Sequence, residues 1–138
     1  MNTTVKFIMN KLSTTELPIF RKITILTKYI REIIIKEISK DDKMTSGHQV
    51  LNILTYIIIL IDKAYRENKD IKRKMKLIYQ IFDKIKEIEI ICKFWFECNI
   101  INSKRSIVLS KSFGEILEEM DKWILGMNKK LKRMESRN

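Results

Sequence analysis

Residues 46–61 read SGHQVLNILTYIIILI, a stretch without a formal charge, its one histidine (His48) being neutral. The chain around it is densely charged, with 28 Lys+Arg against 17 Asp+Glu and a net charge of +11. Written as a helix, the stretch is apolar almost all round, and such a helix has to be covered on more than one side. A small bundle covers one side of each of its helices. The stretch therefore predicts a basic helical bundle whose second helix meets another subunit. Leu54, Ile57, Ile58, Ile59 and Ile61 are the expected interface, joined by Phe96.

Outward from this stretch the pattern stays helical. Leu17, Phe20, Ile23, Leu26, Ile30, Ile34 and Ile38 recur every three or four residues, which predicts a first helix over about 16–38. Ser13-Thr14-Thr15-Glu16 has the form of a capping box at its start. Pro18 sits near that start, where a missing N–H costs little. Residues 39–43 read as a polar connection, with Thr45 or Ser46 capping the second helix, about 46–66. Asp70 is a candidate N-cap for a third helix over 71–98. The seam of that helix is Ile71, Met75, Ile78, Phe82, Ile85, Ile88, Cys92 and Trp95, close to a heptad. Asn99 suits a left-handed C-cap. Asn102 or Ser103 opens a fourth helix, about 103–125, carrying Leu109, Phe113, Ile116, Met120, Trp123 and Ile124. Gly126 is expected to end it.

Four helices with short links predict an all-α fold, an up-down-up-down antiparallel four-helix bundle that assembles into a ring or barrel. The expected organisation is an N-terminal arm (1–15), one bundle (16–126) and a frayed basic tail (127–138). A chain of this length buries roughly 68–70% of its unfolded surface. Its 45% hydrophobic content argues against disorder. Three Gly and one Pro argue against an all-β fold, which needs many tight turns.

Cys92 and Cys98 lie six positions apart, about 120° from facing each other on a helix, so they read as reduced thiols of a cytoplasmic protein. The N-terminal apolar run, Phe7 to Met9, is short of a secretory core of roughly 7–15 residues. The longest unbroken apolar run, Tyr56 to Ile61, is short of the roughly 20 residues of a membrane span. No membrane partner is expected.

The positive charge is concentrated. Residues 66–86 hold eight basic and three acidic side chains, and residues 126–138 hold five and one. Arg66, Lys69, Lys72, Arg73, Lys74 and Lys76 wrap the turn between the second and third helices. A nucleic-acid backbone is a common partner for such a surface. A plain solvated lysine-rich helix in an AT-rich gene is the alternative. Lys129, Lys130, Lys132 and Arg133 of the tail are further candidates for binding phosphate.

Residues for catalysis are sparse. One His, two Cys at poor spacing and no HExxH or CxxC leave no metal constellation. No glycine-rich phosphate loop occurs. His48 has no Arg upstream until Arg31, so the arrangement of a HEPN nuclease is not met. Glu115, Glu118, Glu119 and Asp121 read as a solvated acidic face. Phe94-Trp95-Phe96 reads as a mixture of core and interface packing, since adjacent helical residues point in different directions. Neither an enzyme nor a cofactor is expected.

Two segments carry a resemblance, ICKFWFECNII (residues 91–101) and LSKSFGEILEEMDKWILG (residues 109–126). The second resembles the closing helix of the accessory variability determinant (Avd) proteins of diversity-generating retroelements. Thr45-Ser46-Gly47 matches that family's habit of a glycine at the start of helix two. The same four-helix-bundle superfamily holds proteins encoded in intervening sequences of ribosomal RNA genes. The resemblance spans about residues 15–130. It implies a barrel-shaped homopentamer, non-enzymatic, that binds a reverse transcriptase and structured RNA, and possibly DNA, and supports mutagenic copying of template RNA. It also implies a binding role for Lys93; at the companion position Glu97 reverses the family's charge, and Lys122 stands where a glycine is usual. The competing readings are an intervening-sequence-type bundle and a protein-interaction scaffold without nucleic acid.

Overall fold

The computed structural model describes residues 12–137. Most of the expected N-terminal arm, and Asn138 of the expected tail, lie outside the described residues. Within them the protein is all-helical, with four long helices and no strand.

The expected capping box does not form; Ser13 and Glu16 instead close a single 3₁₀ turn, Thr14–Glu16, ahead of the first helix. Ser13 Oγ donates to Glu16 Oε1 (3.1 Å), and the Glu16 N–H donates to the Ser13 carbonyl (3.0 Å). Helix α1 then covers residues 18–37, with Pro18 at its first position and a π-helical turn at Ile30–Ile34.

Helix α2 covers residues 40–66, six residues longer at its start than expected. The reason is Ser39. Its backbone is extended and its hydroxyl accepts the Asp42 N–H (3.2 Å), while Asp41 and Asp42 put negative charge in the first turn. The supposed polar connection is thus the beginning of the helix. Thr45 and Ser46 do not cap it. Thr45 donates back to the Asp41 carbonyl (2.9 Å), and the Ser46 hydroxyl accepts the indole N–H of Trp95 (2.7 Å). A π-helical turn, Lys43–Gly47, brings α2 close to the end of α1. A Cβ on the buried Gly47 would lie 2.8 Å from Ile35 Cδ1 and 3.2 Å from the Asp42 carbonyl oxygen. Close approach, not turn geometry, is what needs a glycine here.

Helix α3 is Ile71–Glu97, capped by Asp70, whose carboxylate accepts the Arg73 N–H (3.1 Å). It ends as expected on Asn99 at φ 60°. The Ile100 N–H reaches back to the Trp95 carbonyl (2.7 Å) and the Asn99 N–H to Phe96 (3.0 Å), the paired bonds of a Schellman cap. Helix α4 is Ser103–Ser136, capped by Asn102 through the Arg105 N–H (3.0 Å). It runs straight through Gly126, so the tail expected to fray is helix up to Ser136. Met127 explains this. It continues the apolar stripe of Phe113, Ile116 and Met120 and is 5% exposed. Burying a methionine yields about 1.5–3 kcal/mol, more than the roughly 1 kcal/mol that a helical glycine costs.

Helix α1 packs on α2 and α4, α2 on α3, and α3 on α4. Trp95 and Ser46 join the last turns of α3 to the first turns of α2. The Arg105 guanidinium and the Glu37 carboxylate join the start of α4 to the end of α1. That guanidinium holds the Glu37 carboxyl below its ordinary range. The core between the helices is isoleucine-rich and contains no buried polar or charged residue among those described.

The core corrects the interface expectation. Leu54, Ile57 and Ile61 are fully buried within the single chain and cannot meet a second subunit. Ile58 is half-buried against the core; Ile59 and Phe96 are exposed. Neighbouring isoleucines differ by about 100° in direction, so a run of them serves two faces. The outer face of α2 is mixed rather than apolar: Met44, His48, Asn52, Thr55, Tyr56 and Ile59 are exposed there. On α3, Ile81 is buried where the seam placed Phe82, which is half-buried. By length and composition residues 40–66 also pass as a membrane span, which their unbroken apolar run did not suggest. Here their most apolar stripe is buried against α1 and α3.

Two of the three helical glycines, Gly47 and Gly126, should respond oppositely to alanine. Nothing lies within 4 Å of a Cβ on Gly126, so Gly126→Ala is expected to stabilise by about 0.5–1 kcal/mol. Gly47→Ala is expected to destabilise. Urea unfolding followed by circular dichroism measures both. Destabilisation by Gly126→Ala would mean that the helix ends at that glycine.

Candidate nucleic-acid interface

The link between α2 and α3 is four residues long and tightly tied. The Glu67 carboxylate accepts the N–H groups of Asp70 (3.0 Å) and Lys69 (3.1 Å), which hold its carboxyl below the ordinary range. Arg73 Nε lies 3.8 Å from it. Asp62 accepts Thr14 Oγ1 (2.7 Å) and pairs with the Arg66 guanidinium (2.8 Å), and both lower its carboxyl. These bonds fix the backbone from which the basic side chains project. Arg66, Lys69, Lys72, Arg73 and Lys76 are exposed; Lys74 is half-buried, its Nζ 3.4 Å from Asn68 Oδ1. Along α3, Lys72, Arg73 and Lys76 line an open groove of about 450 Å³ with Leu77 and Gln80.

The C-terminal part of α4 arrives at this same pole. A second groove, about 420 Å³, is lined by Leu17, Pro18 and Ile19 of α1's start, Tyr65 of α2, Lys74 of α3, and Glu119, Lys122, Trp123, Met127 and Lys130 of α4. Lys74 and Lys130 therefore border one cavity although they are distant in the chain. The two segments that carry most of the net charge meet at one end of the bundle. Lys129, Lys132 and Arg133 are exposed on the adjoining turns of α4. Glu119 is the acidic residue of the groove, and Lys22 Nζ (3.2 Å) and Lys122 Nζ (3.5 Å) neutralise it.

Lys93 is not part of this pole. It stands seventeen residues along α3 from Lys76, about 26 Å at 1.5 Å per residue, with its Nζ 3.9 Å from Glu89. Conversely, the sequence pattern assigned no binding role to Lys63, Lys122, Arg137, Tyr65 or Trp123. A signal was present for one of them, since Lys122 and Lys129 are seven apart and share a helical face.

At the opposite pole, Trp95 is buried while Phe94 and Phe96 are exposed on either side of it. Among the described residues no group of three His, Cys, Asp or Glu is placed to hold a metal ion. Among the described residues, one end is strongly basic, and at the other Glu37, Asp41, Asp42 and Glu97 offset most of Lys36, Lys40, Lys43, Lys93, Lys104 and Arg105.

The fold and this pole together define an all-helical protein of four helices with a preformed cationic end. Comparison with protein-family models, with curated proteins and with solved structures gave no match to the chain.

The two thiols differ sharply. Cys98 is exposed, whereas Cys92 is 4% exposed and burial pushes its thiol up to about 12. An aromatic disulfide reagent is expected to titrate one thiol per native chain at pH 8, and two in guanidinium. Rapid reaction of both in the native protein would contradict the packing of α3 on α4.

Proposed function

We propose that this protein is a non-enzymatic, cytoplasmic nucleic-acid-binding accessory subunit that partners a reverse transcriptase in the mutagenic copying of template RNA. The observation that carries the binding half is the convergence of residues 66–76 and 129–133 at one pole, where Lys74 and Lys130 border one groove. Clustered cations on a rigid surface release counterions from a phosphate backbone, which supplies affinity without sequence readout. The polymerase half rests on the resemblance of residues 91–101 and 109–126 to the Avd proteins. On this reading the bundle is up-down-up-down and forms a homopentameric ring. The exposed, charge-free face of α2 is its meeting surface, with Tyr56 and Ile59 as its apolar centre.

Replacing Lys72, Arg73, Lys74 and Lys76 by Glu is expected to weaken binding of a structured RNA hairpin. The log–log salt slope should fall by roughly 0.7–0.9 for each phosphate that the variant no longer neutralises. Anisotropy titrations between low and physiological salt read both effects. An unchanged slope would remove this pole from the interface.

Light scattering after gel filtration should give a mass near five times 16.6 kDa. Ile59→Asp, at a position 47% exposed in the single chain, should leave the helical content intact and lower that mass. A monomeric wild-type protein would discard the ring.

A further inference from the structure

The groove at the basic pole contains more than phosphate binding requires. Its floor is apolar, formed by the buried Ile19 and Met127. One wall is Trp123, half-buried, and another is Tyr65, whose hydroxyl donates to the Leu12 carbonyl (2.7 Å) and so fixes the ring. Lys74, Lys122 and Lys130 stand on the rim. At about 420 Å³ it falls within the roughly 300–1,000 Å³ of small-ligand sites. A duplex presents phosphates to a surface and keeps its base faces stacked, so it would leave the apolar floor and both aromatic rings unused. An unpaired nucleotide uses all three elements: a flat apolar base for the floor and rings, and flanking phosphates for the ammonium groups. The one carboxylate in the groove, Glu119, does not repel that ligand, since its 3.2 Å ion pair with Lys22 already neutralises it.

We propose that this groove holds an unpaired base of single-stranded nucleic acid between Trp123 and Tyr65, with Lys74, Lys122 and Lys130 on the adjoining phosphates. The inference rests on the nucleic-acid reading above and deepens it: the basic pole prefers single strands or splayed-out bases over continuous duplex.

The test compares a fluorescein-labelled 20-nucleotide oligouridylate with a 20-base-pair RNA duplex, both titrated with the full-length protein. Stacking on one aromatic ring is worth a factor of about 5 to 140 in affinity. Trp123→Leu should lose a factor in that range for the single strand and less than about twofold for the duplex. Because no charge is removed, the salt slope should stay constant. Trp123→Phe, which keeps a ring, should recover most of the loss. In the unmodified protein, ultraviolet crosslinking of an oligonucleotide carrying 5-bromouridine should label Trp123 or Tyr65, which keeps the test valid should the leucine variant fail to fold. Equal losses on single strand and duplex, no loss on either, or crosslinks confined to other residues would overturn the groove while leaving the basic pole standing. Failure of the unmodified protein to bind either probe at low salt would overturn the nucleic-acid reading and this inference together.

Discussion

The interior of this bundle admits no polar or charged side chain among the described residues, and that exclusion governs the rest of the structure. A core of isoleucine, leucine and methionine, with Trp95 and Phe113, offers no partner to an ammonium or carboxylate, and burying either alone costs several kcal/mol. Every charge is therefore driven to an outer face or a helix end. One polar demand inside, the Trp95 indole N–H, is met at the boundary by Ser46. With Asp62, Glu67 and Asp70 tied into a cap and ion pairs at this pole, its lysines and arginines remain in excess where two helix ends coincide. The basic pole is the remainder left by core packing and capping.

The parts of this architecture that were legible in sequence are those fixed by local chemistry. Asp70, Asn99 and Asn102 set the ends of α3 and the start of α4, because each acts through its own side chain or its own backbone angle. The stripe of α1 was legible for a similar reason, since every third or fourth residue is apolar. The misplaced boundaries depended on partners far along the chain. Gly126 reads as a stop until Met127 is seen to enter the core. Ser39 is overlooked when Thr45 and Ser46 offer themselves, and what disqualifies Ser46 is a tryptophan forty-nine residues away.

The candidate site shows the same division. The lysines of 66–76 form a cluster visible in the sequence, because they are neighbours in it. Their union with Lys122, Lys129 and Lys130 depends on α4 returning to the end where α3 begins, and no local pattern states that. The aromatic walls of the groove escaped notice because Tyr65 and Trp123 look like ordinary apolar positions of their own helices. The supposed interface erred in the opposite direction. The run Ile57-Ile58-Ile59 and Ile61 gives no sign of which members face inward, and Leu54, Ile57 and Ile61 do.

The continuity of α4 to Ser136 carries one more consequence, concerning the thermodynamics of association. A basic segment that was unstructured when free would have to lose backbone freedom on meeting its partner, at about 1–2 kcal/mol for each residue ordered. Held as helix by Met127, the segment with Lys129, Lys130, Lys132 and Arg133 avoids that cost. On the function proposed above, recognition at this pole is therefore preorganised. Its heat-capacity change reflects only the surface covered, without the large contribution of coupled folding.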